Sequence, residues 1–230
     1  MAAIARFFDR LLGWLKWPVA ALSLIALPGL LYALYFVIRA IYRAPEPLYP
    51  FLGGVAAFAG AWYLLLRRST SLRFLVTFEH ELTHALFALA TFHPVVGFRA
   101  SLSGGGHVRY LGRGNWLIAV APYFFPTISL AVIVILSYLP GRNVELGAFI
   151  LGTTVAYHAF STWSETHRHQ TDLREAGWLF CLLFLSAANS LVFGLLLSYA
   201  GGLRSLTAHL SRVRGPSLAF FEWLLKLILG

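Results

Sequence analysis

Residues 18–38, PVAALSLIALPGLLYALYFVI, contain no charged side chain. A helix over them would be about 31 Å long at roughly 1.5 Å per residue, which matches the hydrocarbon core of a bilayer. Two further stretches, 115–140 and 177–200, are equally free of charge. Composition agrees with burial in lipid. The chain is 59% apolar and 12% charged, whereas soluble domains are nearer half apolar and a quarter charged. The sequence therefore predicts an all-α polytopic membrane protein.

About six transmembrane helices are expected, over roughly 18–38, 49–66, 72–92, 115–139, 144–163 and 177–200. Pro28-Gly29 is expected to bend the first. Residues 1–17 place Phe7, Leu11, Trp14 and Leu15 on one stripe, the pattern of an amphipathic helix in the membrane interface. Residues 18–71 then hold two spans, and 72–200 form the core. Within it, 93–114 change character to glycines and short β-type runs, which predicts strands near 95–102 and 106–111 in a hairpin-like Gly-rich loop. Residues 201–230 read as a basic linker followed by an amphipathic anchor, AFFEWLLKLIL.

The formal charge is +9, from 18 Lys and Arg against 9 Asp and Glu. These cations flank apolar runs and form no long basic block. That placement argues for anchoring at lipid headgroups and against nucleic acid. Six spans put both termini on one side, with 11 of the 18 cations, so the termini are expected in the cytoplasm. Cys181 is the single cysteine, which excludes an intrachain disulfide. The basic N-terminus is read as retained, because its apolar run exceeds a signal-peptide core and lacks a cleavage site.

One stretch does not suit lipid. FEHELTHALFALA, residues 78–90, holds two histidines and two glutamates inside the third expected span. His80 and His84 are four residues apart, so a helix projects both from one face, one turn apart. Two imidazoles so placed can bind one zinc ion, and Glu81 can reach a water on it as general base. A charge at bilayer depth costs several kcal/mol on the order of magnitude and is seldom kept without a task. Glu79 points further round the helix, and a structural partner is expected for it. A third ligand is needed, and His93, His107, His158, His167, His169 and Asp172 are the candidates. The chain crosses twice more before SETHRHQTDLREAG, so that loop returns to the face helix three points to. Asp172, His167 and His169 all lie there, and the residues alone leave the choice open.

The pattern resembles the site-2-protease class of intramembrane metallopeptidases, more closely the compact M50B-like branch. HELTH at 80–84, SLSGGGHVRY, NWLIAVAPYFFP and TDLREAG carry the likeness, over about residues 72–200. The resemblance implies a zinc ion held by His80, His84 and Asp172, with Glu81 as the base. It also implies a membrane-protein substrate, a possible regulatory membrane partner and residence in a bacterial cytoplasmic membrane. Better-known members set the aspartate in an Asn-Pro-Asp-Gly context, where this chain has Thr-Asp-Leu.

Gly104, Gly105 and Gly106 could set a hairpin whose edge receives an extended substrate by β-addition, or could simply turn the chain. Asn115 could cap the fourth span or bind substrate. Pro122 and Pro126 free backbone groups near the site, and Ser186, Asn189 and Ser190 suit contacts between helices. Two rival functions remain open at this level: a metal-bearing scaffold that cuts nothing, and a metal or proton transporter.

Overall fold

The computed structural model describes residues 2–102, 105–139, 143–167 and 170–229, with all side chains but those of Pro47, Arg67, Leu203, Arg204 and Ser205. Arg142 and Arg168, two of the flanking cations, lie outside the described residues. The first element, α1 (Ala2–Arg43), is one helix of 42 residues, about 63 Å long at roughly 1.5 Å per residue. The expected boundary after residue 17 is not a break, and both Pro18 and Pro28 lie inside the helix. Packing along its length explains the continuity: Ala5 is buried near the start, Ala20 near the middle, and Ala33 and Val37 toward the end. One side of the N-terminal third lies against protein, while Phe7, Trp14 and Leu15 of its apolar stripe stay exposed. Trp116 donates its indole N–H to the Leu12 carbonyl at 2.6 Å, and Asp9 meets His93 at 3.0 Å.

α2 (Tyr49–Leu64) packs against α6 (Val144–Glu165). Phe51, Leu151 and Val155 from this pair join Leu196 of α8 (Trp178–Ala200) in one buried cluster. α3 (Thr70–Ala90) begins at Ser69, whose Oγ accepts from the Leu72 N–H, an N-cap that satisfies one orphan donor. Leu72 and Val76 then pack on Tyr157 of α6. Beyond α3, β1 (Val95–Ala100) and β2 (Gly106–Tyr110) form an antiparallel hairpin lying along α3, irregular between Val95 and Gly97. The hairpin agrees with the expected strands to within two residues at their ends.

The fourth expected span is not one helix. α4 (Trp116–Val120) runs through a 3-10 turn at Ala121–Tyr123, and α5 (Thr127–Tyr138) leaves at 76° to the segment before it. Pro122 and Pro126 each lack the N–H that an unbroken helix would need there. α7 (Thr171–Ala176) is a short helix before α8, and Gly177, at φ 85°, makes the corner between them. That conformation favours glycine.

The C-terminal region is a single helix, α9 (Leu203–Leu229), with no linker separating it from an anchor. It runs antiparallel to α1: Ser217 donates to the Ala26 carbonyl, and the Arg212 guanidinium lies over the Phe36 ring.

Among the described residues, two helices, α1 and α8, are long and apolar enough to cross a membrane. The bent segment 116–138 adds a third if counted as one span. Helices occupy the other expected stretches too, but α2 has only 16 residues, and α3 and α6 carry Arg73, Glu79, Glu81, Glu145 and Glu165 along their lengths. Leu22 and Leu31 on α1 and Leu179 and Leu182 on α8 are exposed. Such apolar surface calls for a lipid or protein covering. The chain is a membrane protein.

Candidate metal centre

The helical spacing of HELTH does what it predicts. His80 and His84 project from one face of α3 with their Nε2 atoms 3.2 Å apart. α7 brings a carboxylate to the same point. Asp172 Oδ2 lies 3.5 Å from His80 Nε2 and 3.4 Å from His84 Nε2. Three donor atoms thus form a nearly equilateral triangle. Among the described residues they make up the one group of three or more His, Cys, Asp or Glu able to hold a metal ion.

Each of the three has a partner behind it. His84 Nδ1 is 2.8 Å from the Ile118 carbonyl. A carbonyl only accepts, so Nδ1 carries a proton and Nε2 is the nitrogen turned toward the triangle. His80 Nδ1 has the Glu165 carboxylate 3.9 Å away, and Glu165 accepts from Gln170 Nε2 at 2.9 Å. Asp172 Oδ2 accepts from the Tyr123 hydroxyl at 3.2 Å. Burial opposes ionisation of Asp172, but the hydrogen bonds and charge of His80 and His84 outweigh it and hold the carboxyl below the usual carboxylate range.

The triangle faces a cavity of about 460 Å³, lined also by Glu81, Gly105, Gly106, His107 and Glu175. Glu81 is buried on α3 beside the two histidines. Gly106 explains one of the glycines. A Cβ there would come within 2.8 Å of Glu81 Oε1 and of the Arg99 carbonyl, so only glycine lets the hairpin close over the carboxylate.

The remaining candidates divide plainly. Gly105 and Gly106 line the cavity, while Gly104 and His169 lie outside the described residues. Asn115 is engaged elsewhere: its Oδ1 accepts from the Ile118 N–H as the cap of α4, and its amide donates to Asp9. His93 is fully buried between Thr91 and Asp9. His107 lines the cavity wall from β2. His158 packs on Phe193, and His167 lies beside Gln170. None of His93, His107, His158 and His167 joins the triangle. Glu79 accepts from the Ile128 N–H at 3.2 Å and so caps α5, the structural partner expected for it. Sequence reasoning did not single out Tyr123, Glu165 or the Ile118 carbonyl. No local spacing links them to HELTH; only the turn at 121–126 and the end of α6 bring them there.

A zinc ion suits these donors. Zinc–nitrogen and zinc–oxygen bonds of roughly 2.0–2.1 Å in a tetrahedron separate neighbouring ligand atoms by about 3.3–3.4 Å. The observed edges of 3.2, 3.4 and 3.5 Å match that spacing, and a fourth position would open to the cavity. The fold and this trio define a helical membrane protein with a candidate metal centre built on HELTH. Residues 51–164 match the family model described as Peptidase M50B-like, which supports placing the chain in that peptidase family. The match includes His80, Glu81 and His84 and ends before Asp172. Comparisons with curated proteins and with solved structures gave no match.

Proposed function

We propose that the chain is an intramembrane zinc metalloprotease of the site-2 type, hydrolysing a peptide bond in or near the membrane segment of another membrane protein. The donor triangle beside a buried glutamate is the observation that supports this reading most directly. His80, His84 and Asp172 would hold the ion. Zinc bound there would supply a Lewis acid for the scissile carbonyl and acidify a water at neutral pH. Glu81 takes the proton of the attacking water on its carboxylate and returns it to the leaving amine nitrogen. Ile118 and Glu165 keep both imidazoles oriented from behind. In this reading the helices of the six apolar stretches lie in a bacterial cytoplasmic membrane with the termini in the cytoplasm, and a substrate segment reaches the cavity past the hairpin.

The test is metal content and cleavage in purified protein. His80→Ala and His84→Ala are expected to lose stoichiometric zinc. Glu81→Gln is expected to keep the metal while lowering cleavage of a membrane substrate by at least about 100-fold, the usual scale for loss of a general base. Undiminished zinc in both histidine variants would end the proposal. Unchanged behaviour of Glu81→Gln in comparative proteomics of membrane fractions would favour a scaffold.

A further inference from the structure

Three polar side chains among the helices have no part in binding the metal or moving the proton: Glu79, Tyr123 and Asn189. All three converge on the break between α4 and α5. In an unbroken helix the Thr127 N–H would bond to the Tyr123 carbonyl and the Ile128 N–H to the Phe124 carbonyl. Instead Thr127 donates to Phe125 at 2.9 Å. The freed Tyr123 carbonyl accepts from Asn189 Nδ2 of α8 at 2.9 Å. The freed Ile128 N–H goes to Glu79 Oε1 of α3. Unpaired backbone groups in hydrocarbon are costly, and α3 and α8 each contribute a side chain to satisfy them.

The turn so maintained delivers one side chain to the site. Tyr123 is fully buried, sets its ring edge-on to His80 at 5.3 Å, and donates its hydroxyl to Asp172 Oδ2, the same oxygen that faces both Nε2 atoms. It does not line the cavity, so it approaches Asp172 from behind, away from any substrate. We propose that Tyr123 is the positioning residue that fixes Asp172 as third metal ligand, and that the Asn189-supported break in segment 116–138 holds it there. The inference rests on the metal-site reading above. It gives α8 a share in the site: Asn189 acts on the metal through the Tyr123 backbone and hydroxyl.

The experiment measures zinc affinity of the full-length protein in detergent by competition with a chelator, with the cobalt-substituted absorption spectrum as a second readout. Tyr123→Phe keeps the ring and removes only the hydroxyl. It is expected to weaken zinc about 10–100-fold, the range for loss of an outer-shell partner, and to shift the cobalt bands. Asn189→Ala is expected to weaken zinc in the same direction. The double variant should be no weaker than the worse single one, because both act through one contact. Zinc affinity of Tyr123→Phe within threefold of wild type overturns the inference, whatever Asn189→Ala does. A His80→Ala arm separates the two readings. If wild type holds zinc no better than His80→Ala, the metal site falls and this inference with it. If zinc depends on His80 but not on the Tyr123 hydroxyl, the positioning role alone falls.

Discussion

Segments 116–138 and 178–200 have the same length, and neither contains a charged residue. Yet α8 is an uninterrupted helix of 23 residues, while the other is bent by 76° at a turn of several residues. The polar residues of α8 show why it can stay regular. Ser186 and Ser190 return their hydroxyls to the Leu182 and Ser186 carbonyls of their own helix, which asks nothing of a neighbour. The bent segment has Pro122 and Pro126, and the groups they help to free are taken up by side chains of other helices. Apolar composition suits both segments to a membrane. Prolines and the neighbours' polar side chains decide which one becomes a straight span and which one becomes part of a site.

The largest expected effect on stability lies in the straight helix. Leu196 of α8 is buried with Phe51, Leu151 and Val155, and Leu196→Ala leaves a cavity worth about 2–5 kcal/mol. The folded fraction should fall in a thermal or denaturant melt, while zinc per folded chain stays at the wild-type value. A loss of zinc affinity on that substitution would mean that the site depends on α8 as a whole and not on Asn189.

Glu79→Ala should come next. It strips the acceptor from the Ile128 N–H at the start of α5, leaving a buried donor unpaired at a cost of about 1–3 kcal/mol. Unlike the leucine change, it should also weaken zinc in the chelator competition, since the turn that carries Tyr123 loses one of its supports. Glu79→Gln keeps an oxygen acceptor and should recover most of both losses. Equal damage from the two variants would point to the charge of Glu79 and away from its role as a cap.

This contrast also marks what could be read from the sequence. Four-residue spacing sets His80 and His84 on one face, because a helix has one period. The two strands followed from a local change to glycines and β-type residues at 93–114. Asp172 sits in the returning loop that topology and family resemblance had singled out, and the structure brings it to within 3.5 Å of both histidines. Three other features were not legible. The break at 121–126 needs Glu79 and Asn189, 49 and 66 residues away from their partners. The continuity of α1 through Pro18 depends on packing against Trp116 and the core around Phe180. The number of spans is blurred because helices that build a site carry charges that a hydropathy reading counts against them: Glu81 of α3 and Glu165 of α6 line the cavity and Glu79 of α3 reaches α5, while Arg73 and Glu145 are exposed.

The smallest expected effect is the sharpest form of the comparison. Ser190 and Asn189 are neighbours on α8, both polar and both within the same apolar helix. If polarity in this helix served only to glue it to other helices, removing either should have similar consequences. The structure separates them: Ser190 bonds within its own helix, whereas Asn189 reaches the Tyr123 carbonyl. Ser190→Ala takes away donor and side-chain oxygen together and leaves no buried group newly unpaired, because the Ser186 carbonyl stays in the helix. Its effect on stability should stay within about 0.5 kcal/mol, and its zinc affinity should equal that of wild type. A zinc loss in Ser190→Ala matching that of Asn189→Ala would show that α8 acts on the site through general packing, and the distinction between a straight span and a site-building one would lose its basis.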